Sequence, residues 1–142
     1  MKLIPIKEPL SHLPLHLFTH GVRAGFPSPA DDYTEQPLDL NEHLIRHPAA
    51  TYYVRAHGDS MLQLGIYNGD LLVVDRSIEP HNGDVVIAAL NGELACKVLD
   101  TRRGQLLSGN DEFPPISCTG DNELVIEGVV IASIRYHRVC SG

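Results

Sequence analysis

The sequence predicts a mainly β domain preceded by an extended, proline-rich arm. After residue 50, runs rich in β-branched, aliphatic and aromatic residues dominate, as is typical of strands. These runs cover residues 51–57, 71–75, 84–90, 93–100 and 123–137. Before residue 39 the chain holds six of its ten prolines. We therefore divide the chain into an arm, residues 1–38, and a β-rich domain, residues 39–142.

The arm is predicted to be extended because proline fixes φ and removes a backbone donor, which disfavours helices. Residues 13–18, LPLHLF, place leucine at every second position. A period of two is typical of an extended segment lying against a surface. Prolines at this density also exclude a helix-turn-helix in the arm.

Residues 39–47, DLNEHLIRH, are the one helix candidate. Asp39 or Asn41 can cap its N-terminus, and we expect Leu40, Leu44 and Ile45 to face inward.

Asn-Gly pairs punctuate the predicted strands, and Asn91-Gly92 separates two of them by only two residues. This spacing predicts a tight hairpin between strands 84–90 and 93–100. Lys97 then lies on the second strand of that hairpin.

Composition excludes several classes of function. The chain has 18 acidic and 11 basic residues, a formal charge of −7, with no basic run, so we expect no direct sequence-specific DNA binding. No apolar run of about 18 residues predicts a membrane span, and the N-terminus lacks the features of a signal peptide. Three widely spaced cysteines without a CxxC pair indicate neither a disulfide framework nor zinc. We expect a cytoplasmic protein that needs no cofactor.

Lys97 is the most unusual residue of the predicted strands. It follows Ala95 and Cys96 and precedes Val98 and Leu99, so both faces of its strand are apolar. Burial favours the neutral form of lysine by lowering its pKa. A neutral lysine can accept a proton from a serine hydroxyl and so make it a nucleophile.

Ser60 is the serine best placed for that partnership, because it follows a predicted strand within the turn sequence HGDSML. Gly58 and Asp59 turn the chain there, which presents a hydroxyl and leaves backbone N–H groups free to hold an oxyanion. The residues alone leave an alternative open: Ser60 is an ordinary turn serine, and the charged end of Lys97 reaches water along its stem.

Four segments resemble the self-cleaving serine peptidases related to LexA: VRAHGDSM, GIYNGDLLVVD, NGDVVIAAL and ACKVL. The stretch from GFPSPADDY to HGDSM is most similar to the UmuD-like members, and the likeness runs from about residue 25 to about residue 134. The resemblance implies a LexA-like β-clip domain. It also implies a catalytic dyad, with Ser60 as nucleophile and Lys97 as general base.

Family members cleave themselves between a small residue and glycine, and the arm offers Ala24-Gly25 within VRAGF. The resemblance therefore makes the arm the substrate. Small residues let the backbone approach a nucleophile closely.

The resemblance also implies a role in the SOS response and SOS mutagenesis. A RecA filament on single-stranded DNA promotes cleavage in this family. The shortened form then serves as a homodimeric accessory subunit of a UmuC-type Y-family polymerase in translesion synthesis.

Two alternatives stay open. In the first, the chain is a phage-type repressor fragment, which tight sequence-specific DNA binding would indicate. In the second, it is a non-enzymatic polymerase-accessory dimer with a vestigial dyad. A metal face formed by His12, His16 and His20 is disfavoured because Pro14 interrupts the helix it needs. Cys96 is interpreted as a small core residue.

Overall fold

The computed structural model describes residues 11–18, 35–120 and 123–138. These residues belong to two compact units, one ending at Arg46 and the other beginning at His47. Most of the predicted arm lies outside the described residues, so its boundary at residue 38 stays a prediction.

The first unit contains two paired strands and one short helix. β1 (Pro14–Phe18) and β2 (Glu35–Asp39) are antiparallel, with Leu15 opposite Leu38. The extended conformation predicted for LPLHLF is therefore confirmed, whereas β2 was not predicted because Pro37 interrupts its sequence pattern.

Helix α1 (Leu40–Leu44) is a single turn, shorter than the predicted helix. Asp39 caps it, and its carboxylate accepts hydrogen bonds from the backbone N–H groups of Asn41 and Glu42. Ile45 is buried as expected, but the prediction that Leu40 faces inward is wrong, since 57% of its surface is exposed. One helical turn is too short to direct all three apolar side chains to the same side.

The second unit is a seven-stranded antiparallel sheet in the order β3-β4-β9-β5-β6-β7-β8. The strands are β3 (Thr51–Arg55), β4 (Leu71–Asp75), β5 (Val85–Leu90), β6 (Glu93–Asp100), β7 (Gln105–Leu107), β8 (Ile116–Ser117) and β9 (Leu124–Ile134). Short 3-10 turns cover Pro48–Ala50 and Leu62–Leu64. The mainly β prediction and its five strands are confirmed; β7 and β8 are too short to give a sequence pattern.

The sheet buries side chains on both faces, because successive residues of a strand point in opposite directions. Ile87 belongs to one apolar cluster with Leu72 and Val74, whereas Val86 belongs to another with Leu106. This two-sided burial explains the unbroken apolar runs of the sequence. In the part of the chain that the structure covers, no helix is long and apolar enough to cross a membrane.

Candidate active site

Lys97 lies in the middle of β6, the second strand of the hairpin predicted at Asn91-Gly92. Both turn residues have positive φ, 50° and 84°, as a type I′ turn requires. Strand pairing places Lys97 opposite Val86, and only 7% of the lysine is exposed. The prediction of a buried lysine on a tight hairpin is confirmed.

In the part of the chain that the structure describes, the amine of Lys97 contacts two side chains. Nζ donates a hydrogen bond to Ser108 Oγ at 2.7 Å, and it lies 5.5 Å from the centroid of the Phe113 ring. Burial lowers the pKa of Lys97, and the neighbouring Cys96 thiol opposes that shift. A lysine with a lowered pKa is more often neutral at a given pH, so this amine is suited to accepting a proton.

Ser108 is a residue of the site that the sequence analysis did not single out. β6 and β7 pair with Val98 opposite Leu107, and continuing this register by one residue places Ser108 opposite Lys97. The signal in the sequence was a serine directly after the apolar run QLL. That run becomes informative only when the register of the short strand β7 is known.

Ser60 lies on the irregular segment that follows β3. Gly58 adopts φ +87°, and its N–H donates to Asn68 Oδ1 at 2.9 Å, which turns the chain back toward β4. Ser60 is half-buried. Across residues 11–18, 35–120 and 123–138, its hydroxyl forms no hydrogen bond, so it is available to a substrate or to a base.

Backbone hydrogen bonds close the segment containing Ser60 into a loop. Ala56 N–H donates to the Asp70 carbonyl, and Gly69 N–H donates to the Ala56 carbonyl, both at 2.8 Å. The loop therefore leaves β3 and returns to β4 at neighbouring positions, which fixes both of its ends.

An ion pair holds the returning part of this loop. The buried Asp70 carboxylate accepts from the Arg135 guanidinium at 3.1 and 3.3 Å and from Tyr67 N–H at 2.9 Å. Arg135 also donates to the Gly65 carbonyl, and its guanidinium lies 3.8 Å from the centroid of the Tyr67 ring. The Arg135 hydrogen bond lowers the pKa of Asp70, so this carboxylate is charged at neutral pH.

The residues after Ser108 pack against the Ser60 loop. The Gly109 carbonyl accepts from Gln63 N–H at 2.7 Å, and Asn110 Nδ2 donates to the Asp59 carbonyl at 2.9 Å. A Cβ at Gly109 would lie 2.9 Å from Met61 Cα, so only glycine permits this close approach. The segment that contacts Lys97 therefore also contacts both neighbours of Ser60.

Ser60 lines a cavity of about 490 Å³. The lining combines residues of the Ser60 loop with residues of the core and of β6. It includes Val54, His57, Gly58, Met61, Ile66, Leu72, Ile87, Glu93, Leu94, Ala95 and Cys96. The lining combines apolar side chains with polar groups, and a concave site of this kind is typical of a substrate cleft.

The two predicted dyad residues are both described, but no hydrogen bond in the described ranges joins Ser60 to Lys97. Ser108 contacts Lys97, while Gly109 and Asn110 contact Met61 and Asp59, the chain neighbours of Ser60. The assignment of Ser60 and Lys97 as nucleophile and base stays a prediction. Ala24 and Gly25, the predicted cleavage site, lie outside the described residues.

Cys96 packs against the apolar core, and burial raises the pKa of its thiol to about 11. Such a thiol is protonated at neutral pH and is a poor nucleophile.

Within residues 11–18, 35–120 and 123–138, one group of potential metal ligands comes together, formed by His12, Asp39 and Glu42. The Asp39 oxygens already accept hydrogen bonds from the helix N-terminus and from Leu13 N–H, and one lies 2.7 Å from His12 Nδ1. Capping and an ion pair therefore explain this group. His20 of the disfavoured metal face lies outside the described residues.

Comparison with known proteins identifies relatives along most of the chain. A family model described as Peptidase S24-like matches residues 16–131. Protein SamA of Salmonella typhimurium is 49% identical over 135 residues, 94% of each chain. Protein MucA of Escherichia coli is 46% identical over 125 residues, 87% of this chain and 86% of MucA. The LexA repressor of Pseudomonas chlororaphis is 38% identical over 117 residues, 80% of this chain and 57% of the repressor.

The family match and the similarity to a LexA repressor confirm the resemblance drawn from the sequence. The antiparallel sheet agrees with the β-clip domain that the resemblance implies. The chain belongs to the Peptidase S24-like family.

Proposed function

We propose that the protein is a self-cleaving serine peptidase that cuts its own arm between Ala24 and Gly25, with Ser60 as nucleophile and Lys97 as general base. One observation supports this proposal above the others. The buried amine of lowered pKa contacts Ser108, and the next two residues, Gly109 and Asn110, contact Met61 and Asp59 on either side of Ser60, which lines a cavity. Buried lysine next to a serine nucleophile is a known way to activate a hydroxyl.

The chemistry begins when neutral Lys97 accepts the hydroxyl proton of Ser60. The Ser60 oxygen then attacks the carbonyl carbon of Ala24. The resulting tetrahedral intermediate collapses as the protonated Lys97 returns a proton to the nitrogen of Gly25. This frees the amine of Gly25 and leaves the arm, which ends at Ala24, joined to Ser60 by an ester. Water hydrolyses that ester with Lys97 again acting as base, and the arm is then released. In the competent state we expect Lys97 Nζ about 2.6–3.2 Å from Ser60 Oγ.

Backbone donors are available for the negative charge of the intermediate. The N–H groups of Asp59 and Ser60 donate to no residue in the described ranges, and they belong to the turn that presents the hydroxyl. A backbone N–H group that is free to donate can stabilise an oxyanion formed next to it.

In the cell, we propose that cleavage forms part of the SOS response and is promoted by a RecA filament on single-stranded DNA. The shortened form acts as a homodimeric accessory subunit of a UmuC-type Y-family polymerase in the cytoplasm. The formal charge of −7 supports a route to DNA through partners instead of direct binding.

Incubation of the purified protein at alkaline pH, followed by intact-mass measurement, tests the peptidase activity. We expect a shortened chain whose N-terminus is Gly25. Ser60→Ala should abolish its formation, because it removes the proposed nucleophile, while far-ultraviolet circular dichroism stays unchanged.

The matched control is Ser133→Ala, which removes an exposed serine of β9 and should cleave like the unmodified protein. Cleavage that survives Ser60→Ala would contradict the proposal. A stable, uncleaved protein that still binds the polymerase would support the non-enzymatic accessory alternative.

A further inference from the structure

A hydroxyl group outside the proposed dyad lies against its base. We propose that Ser108 is a positioning residue for Lys97, and that the segment Ser108–Asn110 sets the distance between the amine and Ser60. This inference rests on the proposed function, because it takes Lys97 as the base.

The first support is the contact between Ser108 and Lys97. Ser108 Oγ accepts from Lys97 Nζ at 2.7 Å, and the β6–β7 register places the two residues opposite each other. A neutral lysine amine has two N–H groups and one lone pair. When one N–H donates to Ser108, rotation of the amine is restricted, so the lone pair is held in a limited range of directions. Lysine otherwise has four flexible bonds and retains considerable rotamer freedom.

The second support is that the two residues after Ser108 hold the Ser60 loop. Gly109 accepts from Gln63 N–H through its carbonyl and leaves no room for a Cβ against Met61, while Asn110 donates to the Asp59 carbonyl. Three consecutive residues therefore contact the base and both flanks of the nucleophile. A shift of this segment would change the separation of the two catalytic groups, on which the rate depends steeply.

The cavity lining distinguishes a positioning role for Ser108 from the role of a nucleophile. Ser60 is part of the cavity lining, whereas neither Ser108 nor Lys97 is among the residues that line it. A substrate peptide in the cavity would therefore meet the Ser60 hydroxyl, and Ser108 would act on Lys97 alone.

The test is the pH dependence of self-cleavage for the unmodified protein, Ser108→Ala, Ser108→Thr and the control Ser133→Ala. Ser108→Ala should lower the alkaline plateau roughly tenfold or more, because the base is no longer oriented. Its midpoint should move to lower pH, because the ammonium loses a hydrogen bond that favours the charged form. Ser108→Thr keeps the hydroxyl. Its plateau rate should lie within about twofold of that of the unmodified protein, and its midpoint should return to the unmodified value.

A second measurement does not depend on cleavage. In the Ser60→Ala background, the pKa of Lys97 is followed by NMR of its ε-carbon, and adding Ser108→Ala should lower that pKa. A merely structural role would lower thermal stability without this shift. If Ser108→Ala does not fold, the contrast between Ser108→Gly and Ser108→Thr gives the same comparison.

Two results would overturn the inference. One is an unchanged plateau and midpoint in Ser108→Ala while Ser60→Ala is inactive, which leaves the proposed function intact. The other is covalent labelling of Ser108 instead of Ser60 by a fluorophosphonate, which makes Ser108 the nucleophile. Persistent cleavage by Ser60→Ala would instead overturn the proposed function itself.

Discussion

The proposed base and the proposed nucleophile lie on different kinds of backbone. Lys97 occupies the centre of an eight-residue strand that pairs with β5 and β7 on its two sides. Ser60 lies on an irregular loop closed by two backbone hydrogen bonds and held by the Asp70–Arg135 ion pair. The lysine is 7% exposed, whereas the serine is half-buried at a cavity.

This difference follows from what each group must do. Burying an amine costs desolvation free energy, so the folded chain would be more stable if the amine reached water. A rigid backbone is needed to hold it in place. A nucleophile must meet a peptide, which requires an exposed hydroxyl and backbone N–H groups that a regular sheet would occupy. The proposed base therefore lies on a regular, well-paired strand, whereas the proposed nucleophile lies on a loop that a substrate can reach.

The largest expected effect comes from removing the base. Lys97→Met should reduce self-cleavage by roughly 10³-fold or more, because it removes the proposed base. The same change should raise the free energy of unfolding by about 1 kcal/mol, since an apolar side chain of similar length replaces a buried amine. Mass measurement after alkaline incubation and thermal unfolding follow the two effects separately. Loss of both activity and stability would show that Lys97 supports the fold and would break the comparison.

The next effect concerns the loop of the nucleophile. Arg135→Met leaves the buried Asp70 carboxylate without its charged partner and should lower the free energy of unfolding, by an amount that the exposure of Arg135 reduces. Cleavage should slow as well, because the Ser60 loop loses its anchor. Denaturant unfolding measures the first effect. The control is Arg138→Met, an exposed arginine nearby, and equal stability of the two variants would contradict the role of the ion pair.

The same pair predicts a pH dependence. Because the pKa of Asp70 is lowered in the folded protein, the unfolded chain binds its proton more readily. The stabilisation is therefore fully present above the unfolded value of about 3.9 and is lost as pH falls through the folded value. The stability difference between the unmodified protein and Arg135→Met should narrow over that acidic range, which denaturant unfolding at several pH values checks.

A smaller effect should follow from adding a methyl group at Gly109, where the segment after β7 approaches the Ser60 loop. Gly109→Ala places a Cβ 2.9 Å from Met61 Cα, so the Ser60 loop or the segment after β7 must move. We expect a cost of about 1–2 kcal/mol in the free energy of unfolding and a loss of cleavage larger than this destabilisation explains. Rates measured well below the unfolding temperature separate the two. Normal cleavage by a destabilised variant would show that the contact does not position Ser60.

The smallest effect is a shift in the pH–rate profile. Unassisted cleavage should rise with pH and level off at a midpoint below about 10.4, because burial lowers the pKa of Lys97. A docked arm removes further water from the amine, so a RecA filament that favours the docked state should move the midpoint lower still. Rates measured with and without filament test this. A profile that is flat from neutral to alkaline pH would exclude a titrating lysine base.

Patterns along the sequence predict the β5–β6 hairpin and the position of Lys97 well. Runs of β-branched residues and the Asn91-Gly92 turn locate the hairpin, and the apolar neighbours of Lys97 predict its burial. Local signals suffice here because hairpin geometry depends on residues close together in the chain.

The Ser60 loop and the contact between Ser108 and Lys97 depend on residues that are distant in sequence. Arg135 reaches a loop 65 residues earlier, and Ser108 meets Lys97 only through the register of a three-residue strand. Neither contact has a periodic pattern, because each depends on how the sheet is ordered. Leu40 failed as a core prediction for a related reason: a single helical turn gives too little periodicity to define a face.

The thiol next to the base has a consequence for chemistry under oxidative stress. With a pKa of about 11, Cys96 exists as thiolate in roughly one molecule in ten thousand at neutral pH. Peroxides react with thiolates, so this sulfur is protected from conversion to a sulfenic acid although it lines the cavity beside Ser60. Hydrogen peroxide at concentrations that oxidise exposed cysteines should leave self-cleavage unchanged. Burial on the two faces of one strand therefore lowers the basicity of the Lys97 amine on one side and makes the Cys96 thiol insensitive to oxidants on the other.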